Sequence, residues 1–469
     1  MCRAVPAFPE FQLARDASDS TIVESRDQLI AEIAAGSKPE SAFRIGTEHE
    51  KFGFNIADLS PVPYEGPRGI ERILLLMEGL LGWQRIEDRG LIIGLADPIG
   101  GGAISLEPGG QFELSGAPLE TIHQTCREGN AHLAQLREIA EPLGIRFLGL
   151  GGSPKWTLAE TPRMPKSRYE IMTAYMPKVG TKGLDMMYRT CTIQVNLDFE
   201  SETDMRRKMQ VGLKLQPLAT ALFANSPFTE GRPNGLQSWR GDIWRDVDNQ
   251  RSGLHEFCFS PDFGFADYVK WALDIPMYFV IRDGRYYDMT HMTFRQFMEG
   301  AAVKEVPDGE ATMGDWTNHI STLFPDVRLK RFLEMRGADG GPWRRICALP
   351  AFWVGLLYDE EALDQADALT ANWTYGETRA MRDAVPKDGL NVTMRNSSLR
   401  EIAREVLGIS RLGLLNRRRL NSDGFDETHY LAPLEEVVAR GTTSAEDMVR
   451  AYHTRWGGSI EPVFMEQAY

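Results

Sequence analysis

Residues 191–199 constrain this chain more than any other segment. Cys191, Ile193, Val195, Leu197 and Phe199 alternate without a break with Thr192, Gln194, Asn196 and Asp198. A period of two puts the apolar set on one face of a strand and the polar set on the other. Half-buried alternation of this kind belongs to antiparallel sheets, which pack one face on a core and leave the other open. Strand-like stretches recur at 43–54, 104–115 and 332–336. Between and after them the 3–4 spacing of apolar residues predicts helices at 70–81, 118–143, 205–224, 399–407 and 433–440. A last helix is expected after Thr443, which stands three residues before Glu446 at capping-box spacing. Strands and helices follow no βαβ rhythm, and no repeat has a fixed period. The pattern therefore predicts an α+β fold around an antiparallel sheet, with a mostly helical C-terminal part from about 360 to 469.

The polar strand faces carry the chemistry. Glu48 and Glu50 are two residues apart, so a strand there points both carboxylates to one side, about 7 Å from each other. Glu107 and Glu113 flank the Pro108-Gly109-Gly110 break, and Gln111 shares a face with Glu113. Glu334 and Arg336 share a face opposite Leu333 and Met335, while Gln194 and Asn196 extend the polar face of 191–199. Glutamates gathered on one sheet face repel one another unless cations lie between them. Oxygen ligands without thiols or histidines suit Mg²⁺ or Mn²⁺ and not zinc. For any one pair, a solvated strand face with ordinary salt bridges is the competing reading. His49 points the opposite way from Glu48 and Glu50 and is read as structural, and Cys191 is read as a packing residue.

Basic residues concentrate elsewhere. Segment 328–345 holds Arg328, Lys330, Arg331, Arg336, Arg344 and Arg345 against two acids, a local charge of +4 in a chain of net −14. Arginine's planar fork suits bidentate contacts with phosphate and carboxylate. A second cluster, Trp239-Arg240 to Trp244-Arg245, is expected in a loop. The net charge argues against nucleic acid and anionic membranes as partners. Five cysteines without a C-x-x-C pair exclude a disulfide scaffold and a thiolate zinc site. Residues 1–10 lack the pattern of a signal peptide, and the apolar run 347–358 is far shorter than the roughly 18 residues of a membrane span. These features predict a cytoplasmic protein. No Walker A loop, Rossmann fingerprint, H-E-x-x-H or G-x-S-x-G is present.

Five stretches taken together resemble the plant and proteobacterial type of glutamate–cysteine ligase: FRIGTEHEKFGF (43–54), SLEPGGQFELSGAPLETIHQTC (105–126), MPKVGTKGLDMMYRTCTIQVNLDF (176–199), ALFANSPFTEGRPNG (221–235) and LKRFLEMRGADGGPWRRICALPAFWVGLLY (329–358). The likeness runs from about residue 20 to the C-terminus, leaving 1–20 as an N-terminal arm and 21–469 as a single catalytic domain. It implies a glutamine-synthetase-like carboxylate–amine ligase core, an antiparallel sheet curled into a funnel and surrounded by helices. It also implies ATP-dependent joining of the γ-carboxyl of L-glutamate to the amine of L-cysteine through a γ-glutamyl phosphate, the first step of glutathione synthesis. Mg²⁺ or Mn²⁺ would serve as cofactor and ATP as co-substrate, in a monomer or weak homodimer.

By the same resemblance Glu48, Glu50, Glu113 and Glu334 match metal-ligand positions. Glu107 is a further ligand, and Gln194 stands where more distant relatives place a histidine ligand. Arg336 and Lys330 would meet the ATP phosphates, Arg240 would grip a glutamate carboxylate, and Tyr278 and Trp343 would line the amino-acid pockets. Cys126 and Cys347 match a cysteine pair that acts as a redox switch in plant members, against the residue-level reading of two reduced, buried thiols. Two other readings stay open: a carboxylate–amine ligase with another amine acceptor, and a silent relative that senses glutamate or nucleotide.

Overall fold

The computed structural model describes residues 17–302 and 304–469. Most of the expected arm at 1–20, and all of the window tested for a signal peptide, lie outside the described residues.

Nine strands form one antiparallel sheet: β1 (Ile45–Asn55), β2 (Gln84–Asp88), β3 (Leu91–Ala96), β4 (Ala103–Leu106), β5 (Phe112–Ser115), β6 (Ile145–Leu148), β7 (Thr192–Leu197), β8 (Val327–Leu329) and β9 (Leu333–Asp339). Their order is β8-β9-β7-β1-β5-β4-β3-β2, with β6 paired to the far end of β1. The sheet is open, with β8 and β2 at its edges. The antiparallel expectation is met, and the strand expected at 191–199 is β7.

Segment 104–115 is two strands and not one. Gly110 adopts φ +82°, a left-handed conformation that glycine enters without steric cost, and its N–H donates to the Glu107 carbonyl (2.9 Å). That turn folds β4 back onto β5 and leaves Glu107 at its tip.

Helices cover the apolar face. Those that position the site are α1 (Arg26–Ala34), α2 (Ile70–Leu81), α3 (Ile122–Ala140), α4 (Ser167–Tyr175), α5 (Glu202–Leu222), α6 (Trp239–Ile243), α7 (Met313–Ser321), α8 (Trp343–Leu357) and α9 (Leu399–Arg417). Ile193, Val195 and Leu197 of β7 and Leu333 and Met335 of β9 share one buried core with Met205 and Met209 of α5 and with Ile346 and Leu349 of α8. Ile70, Ile73, Leu74 and Met77 of α2 pack on Ile104, Phe112 and Leu114 of β4 and β5 in a second core. Each fully buried Leu, Ile or Phe contributes about 1.5–3 kcal/mol, so this packing is a main source of the sheet's stability.

Several helix boundaries differ from the periodicity: the helix expected at 399–407 runs on to Arg417, and the one expected at 205–224 covers Glu202–Leu222. Helix α3 begins at 122 and not 118, because Leu119 pairs with Ile45 and Thr121 is the N-cap, accepting from Gln124 N–H (3.2 Å). The segment around Arg240, expected as a loop, is the helix α6, capped by Ser238 Oγ accepting from Gly241 N–H (3.0 Å). Thr443 does cap a helix (Ser444–His453), but a further short helix, Pro462–Glu466, follows it. Among the described residues no helix is long and apolar enough to cross a membrane.

Candidate active site

The polar face of the sheet is the floor of a cavity of about 810 Å³. Glu48, Glu50, Glu107, Glu113, Gln194, Arg240, Lys330 and Arg336 all line it. Strand register brings them there. Glu48 lies opposite Gln194 of β7, and Glu50 lies directly opposite Glu113 of β5. Two carboxylates in register across adjacent strands repel each other. Neighbouring donors hold them: Asn196 Nδ2 donates to Glu48 (2.8 Å), the Thr192 N–H to Glu50 (2.9 Å), and the hydroxyls of Ser105 and Ser115 to Glu113 (2.5 and 3.1 Å). Gly46 makes room for the Asn196 amide, because a Cβ there would stand 3.3 Å from the asparagine's Cβ and Nδ2.

Burial in this crowded site raises proton affinity. Glu48 is pushed up to about 7 by desolvation, then by the charges of Glu334 and Glu113. Glu50 is held well above the usual carboxylate range by burial, Glu107 and Glu113, and Glu113 is raised by burial and Glu107. The sign of the resulting pH effect follows from linkage. Between about 4.5 and 7 folded Glu48 keeps a proton that the unfolded chain has lost, so its contribution to stability falls as pH rises. In cation-free buffer the stability of Glu48→Gln relative to wild type is expected to grow from pH 5 to 7, by up to about 1.4 kcal/mol per pH unit. Paired thermal melts at the two pH values check this, and a pH-independent difference counts against it. Comparing the two proteins cancels the buried histidines common to both.

The wall beside the floor is basic. Glu334 is fully buried on β9, directly opposite Arg328 of β8. Arg328 Nη2 donates to both of its oxygens (2.8 Å each), Lys330 Nζ lies 3.3 Å away, and Arg336 completes the cluster through Nη1. Burial alone would raise the Glu334 carboxyl, but these three cations outweigh it and hold it far below its ordinary value. Arg336 Nη1 also donates to Gln194 Oε1 (2.6 Å). Behind this wall Arg240 is 3% exposed and donates to the Arg336 carbonyl (2.9 Å). Both guanidinium groups lie near the Trp244 ring, 5.9 and 5.8 Å from its centre. Asp339, at the end of β9, accepts from Asn225 N–H and from the hydroxyls of Ser226 and Ser238 (2.8, 2.7 and 2.8 Å). Those bonds tie the start of α6, and hence Arg240, to the strand that carries Arg336.

The chemistry of Glu48, Glu50 and Glu113 fits a hard divalent cation: carboxylates on neighbouring strands, two buried and one half-buried, that bind protons too readily. Among the described residues no three such groups converge tightly enough to hold a metal ion without side-chain movement. The Glu334 oxygens are engaged here by Arg328, Lys330 and Arg336, so it anchors the basic wall. The Gln194 carbonyl is likewise committed to Arg336. Two more expected residues are not brought to the cavity. Tyr278 is buried behind it against Arg251, whose guanidinium lies 3.8 Å from the ring, while Trp343 opens α8 at 38% exposure with Nε1 3.5 Å from the Cys126 carbonyl. Cys126 and Cys347 are free, buried thiols, close enough that burial and the neighbouring Cys347 together push the Cys126 thiol up.

Lys166, Tyr169, Met172, Met186 and Met187 also line the cavity. Sequence reading assigned none of them a role: nothing in 164–175 marks a site until α4 is docked over β4, and Met186 and Met187 lie in a stretch that carries only the resemblance. On the reverse of β1, His49 and Lys51 are buried, with Lys51 Nζ 3.1 Å from His132 Nε2. Burial lowers Lys51 to about 7 and both histidines well below their usual value.

An open antiparallel sheet with buried carboxylates and arginines on one face defines the class, a carboxylate–amine ligase fold. The chain belongs to Glutamate-cysteine ligase family 2 (GCS2), whose profile matches residues 44–466. It is 51% identical to glutamate–cysteine ligase A, chloroplastic, of Oryza sativa subsp. indica, over 99% of this chain and 92% of that one. Identity to the chloroplastic glutamate–cysteine ligase of Arabidopsis thaliana is 53%, over 95% and 83%. The crystal structure of a Francisella tularensis glutamate–cysteine ligase in complex with AMP shares the fold, with a TM-score of 0.51 at 12% identity over 88% of this chain and 85% of that one. The cytoplasmic expectation is overturned: these plant relatives carry chloroplastic names, and the composition of a short N-terminal window does not assign a compartment.

Proposed function

We propose that this chain joins the γ-carboxyl of L-glutamate to the amine of L-cysteine, using ATP and Mg²⁺ or Mn²⁺, as the first step of glutathione synthesis. The observation that carries this reading is the single cavity in which an acidic floor (Glu48, Glu50, Glu113) meets a basic wall (Arg328, Lys330, Arg336). Family membership supports it. The floor residues would hold the divalent cation, which supplies charge neutralisation for the polyphosphate when bound.

In this reading the γ-phosphoryl group passes from ATP to a γ-carboxylate oxygen of glutamate, giving ADP and an acyl phosphate. The cysteine amine then attacks the acyl carbon, the C–O bond to phosphate breaks, and the amine loses a proton. Both steps need positioning and charge neutralisation more than a protein nucleophile. Arg336 and Lys330 would face the phosphates, oriented by Glu334, and Arg240 a glutamate carboxylate.

The test incubates purified protein with ATP, Mg²⁺, glutamate and cysteine, measuring phosphate and dipeptide. Equal amounts of both, each dependent on cysteine, are expected. Phosphate release that ignores cysteine would count against the assignment.

A further inference from the structure

The basic wall ends in a turn that another element holds. Strands β8 and β9 are joined by Lys330, Arg331 and Phe332, with Leu329 facing Leu333 on either side and the Lys330 N–H donating to the Phe332 carbonyl (2.9 Å). All three turn residues line the cavity. The end of α1 lies against this turn. Glu32 accepts from Arg331 Nε and Nη2 (2.8 and 2.7 Å), and Gly36, just beyond the helix, meets the Arg331 backbone. A Cβ on Gly36 would stand 2.2 Å from the Arg331 carbonyl oxygen and 2.6 Å from its carbonyl carbon and Cα. Gly36 is outside the left-handed region, so what this glycine supplies is room and not a backbone conformation.

The two sides of this contact do not yield alike. Leu29 and Ile33 anchor α1 in the main core. Just past Gly36 the Lys38 N–H donates to the Phe199 carbonyl (3.1 Å), and its ammonium meets Asp198 (2.8 Å). The turn, in contrast, is a short tip whose Arg331 side chain is half exposed. A side chain added at position 36 therefore displaces the turn and not the helix. Lys330 moves with it, being the neighbour of Arg331, and its ammonium leaves its place 3.3 Å from Glu334. We propose that Gly36 is a positioning residue for Lys330. The end of α1 clamps the β8–β9 turn where the Lys330 ammonium meets the phosphates of ATP, and the Glu32–Arg331 ion pair is the weaker second hold. This inference rests on the reaction proposed above, which places Lys330 at the phosphates.

The experiment measures the Kd of ATP by calorimetry, in Mg²⁺ and without amino acids, and the KM values of ATP, glutamate and cysteine. It uses wild type, Gly36→Ala, Glu32→Gln, Lys330→Met and the double variant Gly36→Ala/Lys330→Met, after melts confirm which are folded. Gly36→Ala is expected to weaken ATP about tenfold, in Kd and KM together, with the glutamate and cysteine KM values within about twofold of wild type. Glu32→Gln should act in the same direction by about two- to threefold. Relative to Lys330→Met, the double variant should lose less than about a further twofold, because the group that Gly36 positions is already gone. A purely structural glycine would lower the melting temperature or kcat and leave ATP affinity unmoved, which overturns the proposal. A full tenfold loss on top of Lys330→Met overturns it as well, since Gly36 would then act elsewhere. Should Gly36→Ala not fold, Glu32→Gln decides, and unchanged ATP affinity in it overturns the proposal. Wild type that binds ATP but forms no dipeptide sinks the ligase reading alone, while wild type that binds no ATP removes the proposal with it.

Discussion

Replacing Glu334 with alanine is expected to destabilise the fold by about 3–5 kcal/mol and to abolish ligation. The magnitude is that of removing one partner from a buried ionic cluster, which leaves the remaining charges desolvated without compensation. Here three cations lose the same carboxylate: Arg328, Lys330 and Arg336 all contact Glu334, which is fully buried. Arg328 itself is held by the carbonyls of Ser321 and Leu323 (2.6 and 3.2 Å), so it cannot swing out to water without breaking the end of α7. Denaturant unfolding of the variant measures the loss, and a change under about 1 kcal/mol would show that the cluster is not cohesive. The double variant Arg328→Ala/Glu334→Ala should lose less than the sum of the singles, since each alone strands the other.

Glu50→Gln is expected to do the opposite to stability while also costing activity. Glu50 is half-buried and faces Glu113 across the β1–β5 pair, and desolvation with the charges of Glu107 and Glu113 holds its proton affinity well above normal. An uncharged amide of the same shape removes that repulsion, so the cation-free variant should melt above wild type near neutral pH. The same change removes an oxygen donor for the divalent cation. A fall of about 10³ in kcat/KM, roughly 4 kcal/mol of transition-state stabilisation, is expected. Added Mg²⁺ should raise the wild-type melting temperature and leave that of Glu50→Gln nearly unmoved. If the variant melts below wild type and still responds to Mg²⁺, Glu50 does not belong to the cation site.

What could be read from the sequence was whatever a period of two decides locally. Glu48 with Glu50, and Gln194 with Asn196, share a face in any strand, so the floor was legible before its neighbours were known. The partners of Glu334 were not. Its placement among arginines arises from the β8–β9 hairpin register, which sets Arg328 opposite it, and a cluster of charges in sequence does not tell a cation ligand from an anchor for cations. Glu107 was visible as a carboxylate but its position at a turn depends on Gly110. Tyr278 and Trp343 were placed by loop correspondence, and loops are where backbone paths are least determined by local pattern. Lys166 was invisible because a single lysine between Pro165 and Ser167 acquires meaning only through the docking of α4.

Strand β1 carries Glu48 and Glu50 on one side and His49 and Lys51 on the other, every one of them held by a specific neighbour or packed against α3. A slip of one residue against β5 and β7 would therefore do more than expose a core face. It would replace Glu48 and Glu50 on the cavity floor with His49 and Lys51 and thrust two carboxylates into the helical layer behind. The strand register that buries the core face is therefore also the one that sets Glu48 and Glu50 on the cavity floor, so a misregistered chain loses stability and half of its floor carboxylates together.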